Sequence, residues 1–159
     1  MAKSAKTNAM RFLEAHGVAF TARTYACDAF VDGVTMAQKA QIPAERTFKT
    51  LVAVATAQRH VALAIPVAEA LDLKKAAVAV GEKSLSLLPA RELLAVTGYA
   101  RGGCTVVGMK RQLVTAFDAR ALDFATIFLS GGRVGAFIEV DPRDIARVIG
   151  ATFADLLLA

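Results

Sequence analysis

The sequence predicts an α+β fold: a mixed β-sheet with flanking helices, in a single domain over residues 1–159. Two continuously apolar runs, residues 51–57 and 61–67, are separated by the polar Gln58-Arg59-His60, which reads as two buried strands joined by a tight turn. Helix signals and strand runs follow one another without regular alternation, which argues against a doubly wound sheet. The glycine pairs Gly102-Gly103 and Gly131-Gly132 lack the spacing of a phosphate loop or a dinucleotide fingerprint.

The elements follow in order. Ala5, Ala9, Phe12, Leu13 and His16 share one helical face, so a first helix is expected over residues 4–16, stopped by Gly17. A short strand is expected at residues 19–25. Thr35-Met36-Ala37-Gln38 has capping-box spacing and predicts a helix beginning there and ending near Gln41. After the paired strands, Asp72 is placed to cap a helix that Gly81 ends. Pro89 suits the first turn of another, ending near Gly98. Val106-Val107 and residues 113–117, 126–129 and 136–140 are short strand candidates. Asp141-Pro142-Arg143-Asp144 combines a cap, a proline at the first helical position and an acid in the first turn, so a helix should run to Gly150.

Composition narrows the function. The 159 residues carry 19 basic and 14 acidic side chains, a net charge of +5, which favours polyanionic partners. The cations are scattered, so any RNA contact must be assembled in three dimensions. No apolar run is long enough to span a bilayer, and the basic start is not followed by an apolar signal core, which predicts a cytoplasmic protein with no membrane contact. Cys27 and Cys104 then read as free thiols. Cys27 stands next to Asp28, which opposes thiolate formation if the two are close. His16 and His60 stand alone, no His/Cys/Asp cluster has metal-ligand spacing, and no serine sits in a nucleophile elbow. An enzyme built this way works by positioning and electrostatics more than by side-chain acid or base.

What remains is a cation inside an apolar strand, Phe48-Lys49-Thr50-Leu51-Val52, and a glycine turn after another, Ser130-Gly131-Gly132-Arg133-Val134-Gly135. Lysine is seldom buried without a partner, and glycine lets a backbone approach a ligand closely. These segments resemble the YbaK family of free-standing aminoacyl-tRNA deacylases, whose fold also forms the editing insertion of bacterial prolyl-tRNA synthetases. The likeness runs in order through Tyr25, Thr47-Phe48-Lys49-Thr50-Leu51-Val52, Leu71-Asp72-Leu73-Lys74-Lys75, Thr97-Gly98-Tyr99-Ala100-Arg101-Gly102-Gly103 and Ser130 to Gly135.

The resemblance implies a trans-editing enzyme that clears mischarged tRNA, Cys-tRNA(Pro) or another small amino acid on tRNA(Pro). It implies the acceptor end of aminoacyl-tRNA as partner, with prolyl-tRNA synthetase as a second, and no cofactor or metal. Lys49, Gly102 and Gly131 match the catalytic positions, with main-chain N–H groups of the glycine loops facing the developing oxyanion. Tyr25, Gly103 and Ser130 match the pocket lining, and Gly132, Thr50, Phe30 and Phe137 are further candidates for it. The family's pattern is broken where Val106 replaces a proline of the first loop and Phe137 stands near the usual place of an acid, which leaves the amino acid open: Cys, Ala, Ser or another small one. A binding module that recognises an aminoacyl or adenylate group without turnover is the alternative on the same fold.

Overall fold

The computed structural model of the chain describes residues 5–27 and 29–158. Ser4, the expected first residue of the first helix, and Asp28 lie outside the described residues. Helix α1 (Asn8–Ala15) begins later than its apolar face suggested, because the Thr7 hydroxyl takes the cap and accepts from the Met10 N–H at 3.2 Å. Strand β1 (Phe20–Thr24) follows, then helix α2 (Gly33–Ala40). The cap of α2 is Asp32, not Thr35. Asp32 accepts both the Thr35 N–H at 2.7 Å and the Thr35 hydroxyl at 2.8 Å, which moves the helix start forward and leaves Thr35 inside the first turn.

Strands β2 (Phe48–Ala55) and β3 (His60–Pro66) form the antiparallel pair that the two apolar runs predict, with Lys49 opposite Ile65 and Thr50 opposite Ala64. His60 opens β3 and does not belong to the turn. Helix α3 (Leu73–Val80) is capped by Asp72 and closed by Gly81 in the left-handed conformation. A three-residue strand β4 (Leu85–Leu87), a 3₁₀ turn (Ala90–Glu92) and helix α4 (Leu93–Thr97) lead to Gly98, again left-handed. Val106 and Val107 are not a strand. They are fully buried in an irregular loop, where Gln112 Nε2 donates to the Val106 carbonyl at 3.1 Å and the Tyr99 hydroxyl to the Val107 carbonyl at 2.6 Å. Side chains thus supply the partners that a ladder would have supplied. The chain ends through β5 (Val114–Asp118), β6 (Ile127–Ser130), β7 (Ala136–Val140), α5 (Pro142–Ile149) and β8 (Thr152–Ala154).

The strands form two sheets. One has the order β4-β2-β3-β5-β8, antiparallel except where β5 joins β3 and β8 in parallel. The other is the antiparallel β1-β7-β6. A parallel bridge from Thr47 to Phe128 links them. Arg46 pins the same junction: its guanidinium donates to the carbonyl and hydroxyl of Thr126 at 3.0 and 2.9 Å, pairs with Glu139 at 3.4 Å, and lies 4.9 Å from the Phe128 ring centre. The main core fills the space between α1, the smaller sheet and one face of the larger, including Leu13, Phe48, Val52, Ile127 and Ile138. Helix α3 covers the opposite face over Leu63, Ile65 and Leu156. Helix α2 lies on Phe128 and Phe137 through Met36 and Ala37.

Candidate active site

A cavity of about 550 Å³ opens where β2 meets the smaller sheet. Its walls come from four separated stretches of chain, between Tyr25 and Met36, Phe48 and Val52, Leu87 and Cys104, and Ser130 and Phe137, and from Val67. Of the residues singled out in the sequence, Tyr25, Phe30, Lys49, Thr50, Gly102, Ser130 and Phe137 line it. Gly103, Gly131 and Gly132 do not.

Lys49 reaches the wall from the start of the paired β2–β3 ladder, half-buried, on a rigid base. Among the described residues no carboxylate lies within ion-pairing distance of it. Its neighbour Thr50 carries a buried hydroxyl with no hydrogen-bond partner. An orphaned buried hydroxyl costs about 1–3 kcal/mol, and here it belongs to a residue of the cavity wall, where a ligand group can satisfy it. Tyr25 and Phe137 stack with ring centres 5.5 Å apart, forming an apolar floor with Met36 and Phe48. Burial pushes the Tyr25 phenol above its ordinary pKa, so it stays a neutral donor.

The glycine loops hold the walls together more than they expose donors. Gly102 has φ +85°, and a Cβ there would stand 2.6 Å from Phe30 Cβ, so the bare backbone is what lets Phe30 close on it. A Cβ on Gly103 would meet Arg133 Cα at 2.7 Å, so the two loops touch backbone to backbone. The N–H groups of three of the four glycines are already used. Gly103 donates to the Ala100 carbonyl at 3.0 Å, Gly131 to Ala136 at 2.8 Å, and Gly132 to the Ser130 hydroxyl at 3.3 Å. The Gly131 carbonyl accepts from the Thr7 hydroxyl. The N–H groups of Gly103, Gly131 and Gly132, expected to face a developing oxyanion, are engaged within the loops in this structure. These bonds hold the turns that carry Gly102 and Ser130.

Three lining residues with ionisable side chains escaped the sequence reading. Arg101, exposed, places its guanidinium 5.7 Å from the Phe30 ring centre, a second cation at the cavity. Asp32 lines the same space while capping α2. Cys104 is buried in the wall, and burial pushes its thiol up to about 11, so it shapes the cavity as a neutral side chain and not as a thiolate. The signal for Arg101 and Cys104 was their adjacency to Gly102-Gly103. The signal for Asp32 was its place just before a helical segment.

The chain is similar along nearly its whole length to known proteins. It is 38% identical over 152 residues to an Enterococcus faecalis protein named as a candidate Cys-tRNA(Pro)/Cys-tRNA(Cys) deacylase, EbsC, covering 95% of this chain and 93% of that one. A solved structure described as a candidate trans-editing enzyme for prolyl tRNA synthetase superposes with a TM-score of 0.84 at 25% identity, covering 98% of this chain and all of the other. A hypothetical protein of known structure shares the fold with a TM-score of 0.84 at 23% identity, covering 94% and 98% of the two chains. The α+β fold with sheets and flanking helices is thus that of YbaK-type proteins. The profile of the aminoacyl-tRNA editing domain matches residues 32–148, which hold the cavity's β2 wall, its first glycine loop and Ser130 to Phe137. The chain belongs to the aminoacyl-tRNA editing domain family.

Proposed function

We propose that this chain is a trans-editing deacylase that cleaves the ester of a small amino acid, cysteine first, from mischarged tRNA(Pro). It acts in the cytoplasm, alongside prolyl-tRNA synthetase, with residues 1–159 as one editing domain. The observation that carries the reading is the pairing on β2 of a cation, Lys49, with a buried hydroxyl, Thr50, both without a partner among the described residues, on the wall of a cavity with room for an esterified amino acid. The Tyr25–Phe137 floor supplies apolar contact for a small side chain.

The chemistry suits a wall without a basic nucleophile. A cysteinyl ester carries its own thiol. When that sulfur attacks the carbonyl carbon, the bond to the ribose oxygen breaks and that oxygen takes up the proton. Free tRNA and a cyclic thiolactone leave. A well-oriented intramolecular attack has an effective molarity of about 10⁵ M or more, so the protein need only fold the acyl group into place. Lys49 supplies positive charge for the oxygen that gains negative charge, and the Thr50 hydroxyl supplies a hydrogen bond. For alanyl or seryl esters, water is the nucleophile.

A panel of cysteinyl-, alanyl- and seryl-tRNA(Pro) tests this. The expected result is deacylation at substoichiometric protein, with Lys49→Ala slowed about 100-fold, the scale of removing one transition-state interaction. Protection of the ester without turnover would instead establish a binding module, and a wild-type rate for Lys49→Ala would remove the lysine from the mechanism.

A further inference from the structure

We infer that the side of the cavity formed by residues 89–112 is a docking surface for the phosphate backbone of an RNA acceptor stem, held by Arg91, Arg101, Lys110 and Arg111. The inference rests on the reading above for the identity of the ester, but on separate observations for the surface. This stretch of 24 residues carries four bases against one acid, Glu92, and so holds three of the chain's five net positive charges. All four cations are exposed.

Their pairing state separates them from the neutralised cations of the surface. Seven ion pairs occur among the described residues, and their cations are Lys6, Arg46, Arg59, Lys75, Arg120, Arg143 and Arg147. None of the four is among them. Other surface cations are neutralised, Arg147 by Asp144 one turn away and Arg143 by Asp141, whereas Arg11, Arg23, Lys39, Lys74 and Lys83 are exposed and outside these pairs as well, scattered along the chain. Along residues 89–112 the positive charge is left open.

The placement follows from the backbone. Ala90 and Leu93 line the cavity on either side of Arg91 in sequence, and Arg101 lines it directly. Lys110 is tied to the other end of α4, where its N–H donates to the Thr97 carbonyl at 2.8 Å and its Cβ lies 3.4 Å from the position of a Cβ on Gly98. Arg91 stands before α4 and Lys110 beside its last turn, so the two cations sit at opposite ends of that helix. An ester carried at the end of a nucleic-acid chain brings its own phosphates past the mouth, and this side meets them with unpaired cations.

The experiment measures binding of uncharged tRNA(Pro) and of a hairpin carrying only its acceptor stem, as a function of salt. The test variant is Arg91→Gln/Lys110→Gln/Arg111→Gln, which leaves the cavity wall intact. The control is Arg59→Gln/Arg120→Gln/Arg147→Gln, which removes the same charge from paired, exposed positions. The test variant is expected to bind both RNAs at least tenfold more weakly, with the log–log salt slope flattened by about 0.7–0.9 for each phosphate no longer neutralised. The control should stay within about threefold. In deacylation the loss should fall on KM and not on kcat. Equal losses in test and control, an unchanged slope, or polyglutamate bound as tightly as RNA would overturn the inference. Uncharged RNA requires no turnover, so a protein that deacylates nothing but binds as expected would refute the catalytic reading and keep this surface.

Discussion

Gly102 holds the cavity's shape through what it lacks. With φ +85° and Phe30 Cβ, Cγ and Cδ1 all within 3 Å of where a methyl would sit, Gly102→Ala must both strain the backbone and push Phe30 aside. A loss of about 1–3 kcal/mol in urea unfolding is expected from the backbone alone, together with lost deacylation. Adding Phe30→Ala should restore part of the stability, because it takes the ring out of the clash while leaving the strained φ. At Cys104 burial disfavours the thiolate, so the folded pKa of about 11 stands above the ordinary 9.0. The resulting stability is complete below pH 9 and is lost as pH rises through 11. Iodoacetamide at pH 7.5 should therefore modify Cys27 well before Cys104, and Cys104 labelling should rise towards pH 11, as peptide mass mapping would show. Sequence order made Lys49, Gly102 and Ser130 legible as cavity residues. It could not reveal that Gly131 spends its N–H on Ala136, since that bond depends on how the hairpin between β6 and β7 closes.

Helix ends were the best-read part of the chain, because caps are local chemistry. Asp72, Gly81, Gly98, Asp141 and Gly150 stand where their residue types require. The starts of α1 and α2 are the exceptions, and α2 shows the rule's limit: two capping residues compete within four positions, and the carboxylate that can take both an N–H and a hydroxyl wins. The Thr35 N–H, then the Thr35 hydroxyl, hold the Asp32 carboxyl below its ordinary range. A lowered folded pKa gives stability that is present above the ordinary carboxylate value and lost as pH falls through the lowered one. Asp32→Ala should thus lower Tm at pH 7, and the gap to the wild type should close in melts at successively more acid pH. Asp32→Asn should retain most of the cap at neutral pH. Strands β4 and β8 escaped detection because three residues are too few to display a period of two.

At the scale of the molecule, the paired strands announced an α+β fold, but not its division into two sheets. Nor did they announce how the two sheets are joined, which depends on Thr47 meeting Phe128, a contact between distant segments that no local pattern encodes. Arg46 makes it a joint. Arg46→Ala removes two hydrogen bonds to Thr126 and the half-buried pair with Glu139, at a cost of about 1–2 kcal/mol once partial exposure is allowed for. A double-mutant cycle with Glu139→Gln should show positive coupling, and the single variant should lose affinity for substrate because the joint sets the spacing of the cavity's walls. The wall segments also have a temporal meaning. Ser130, Ala136 and Phe137 are synthesised long after Lys49, and Lys49 waits for them. A nascent polypeptide on the ribosome therefore has no closed chamber until these residues have emerged and docked.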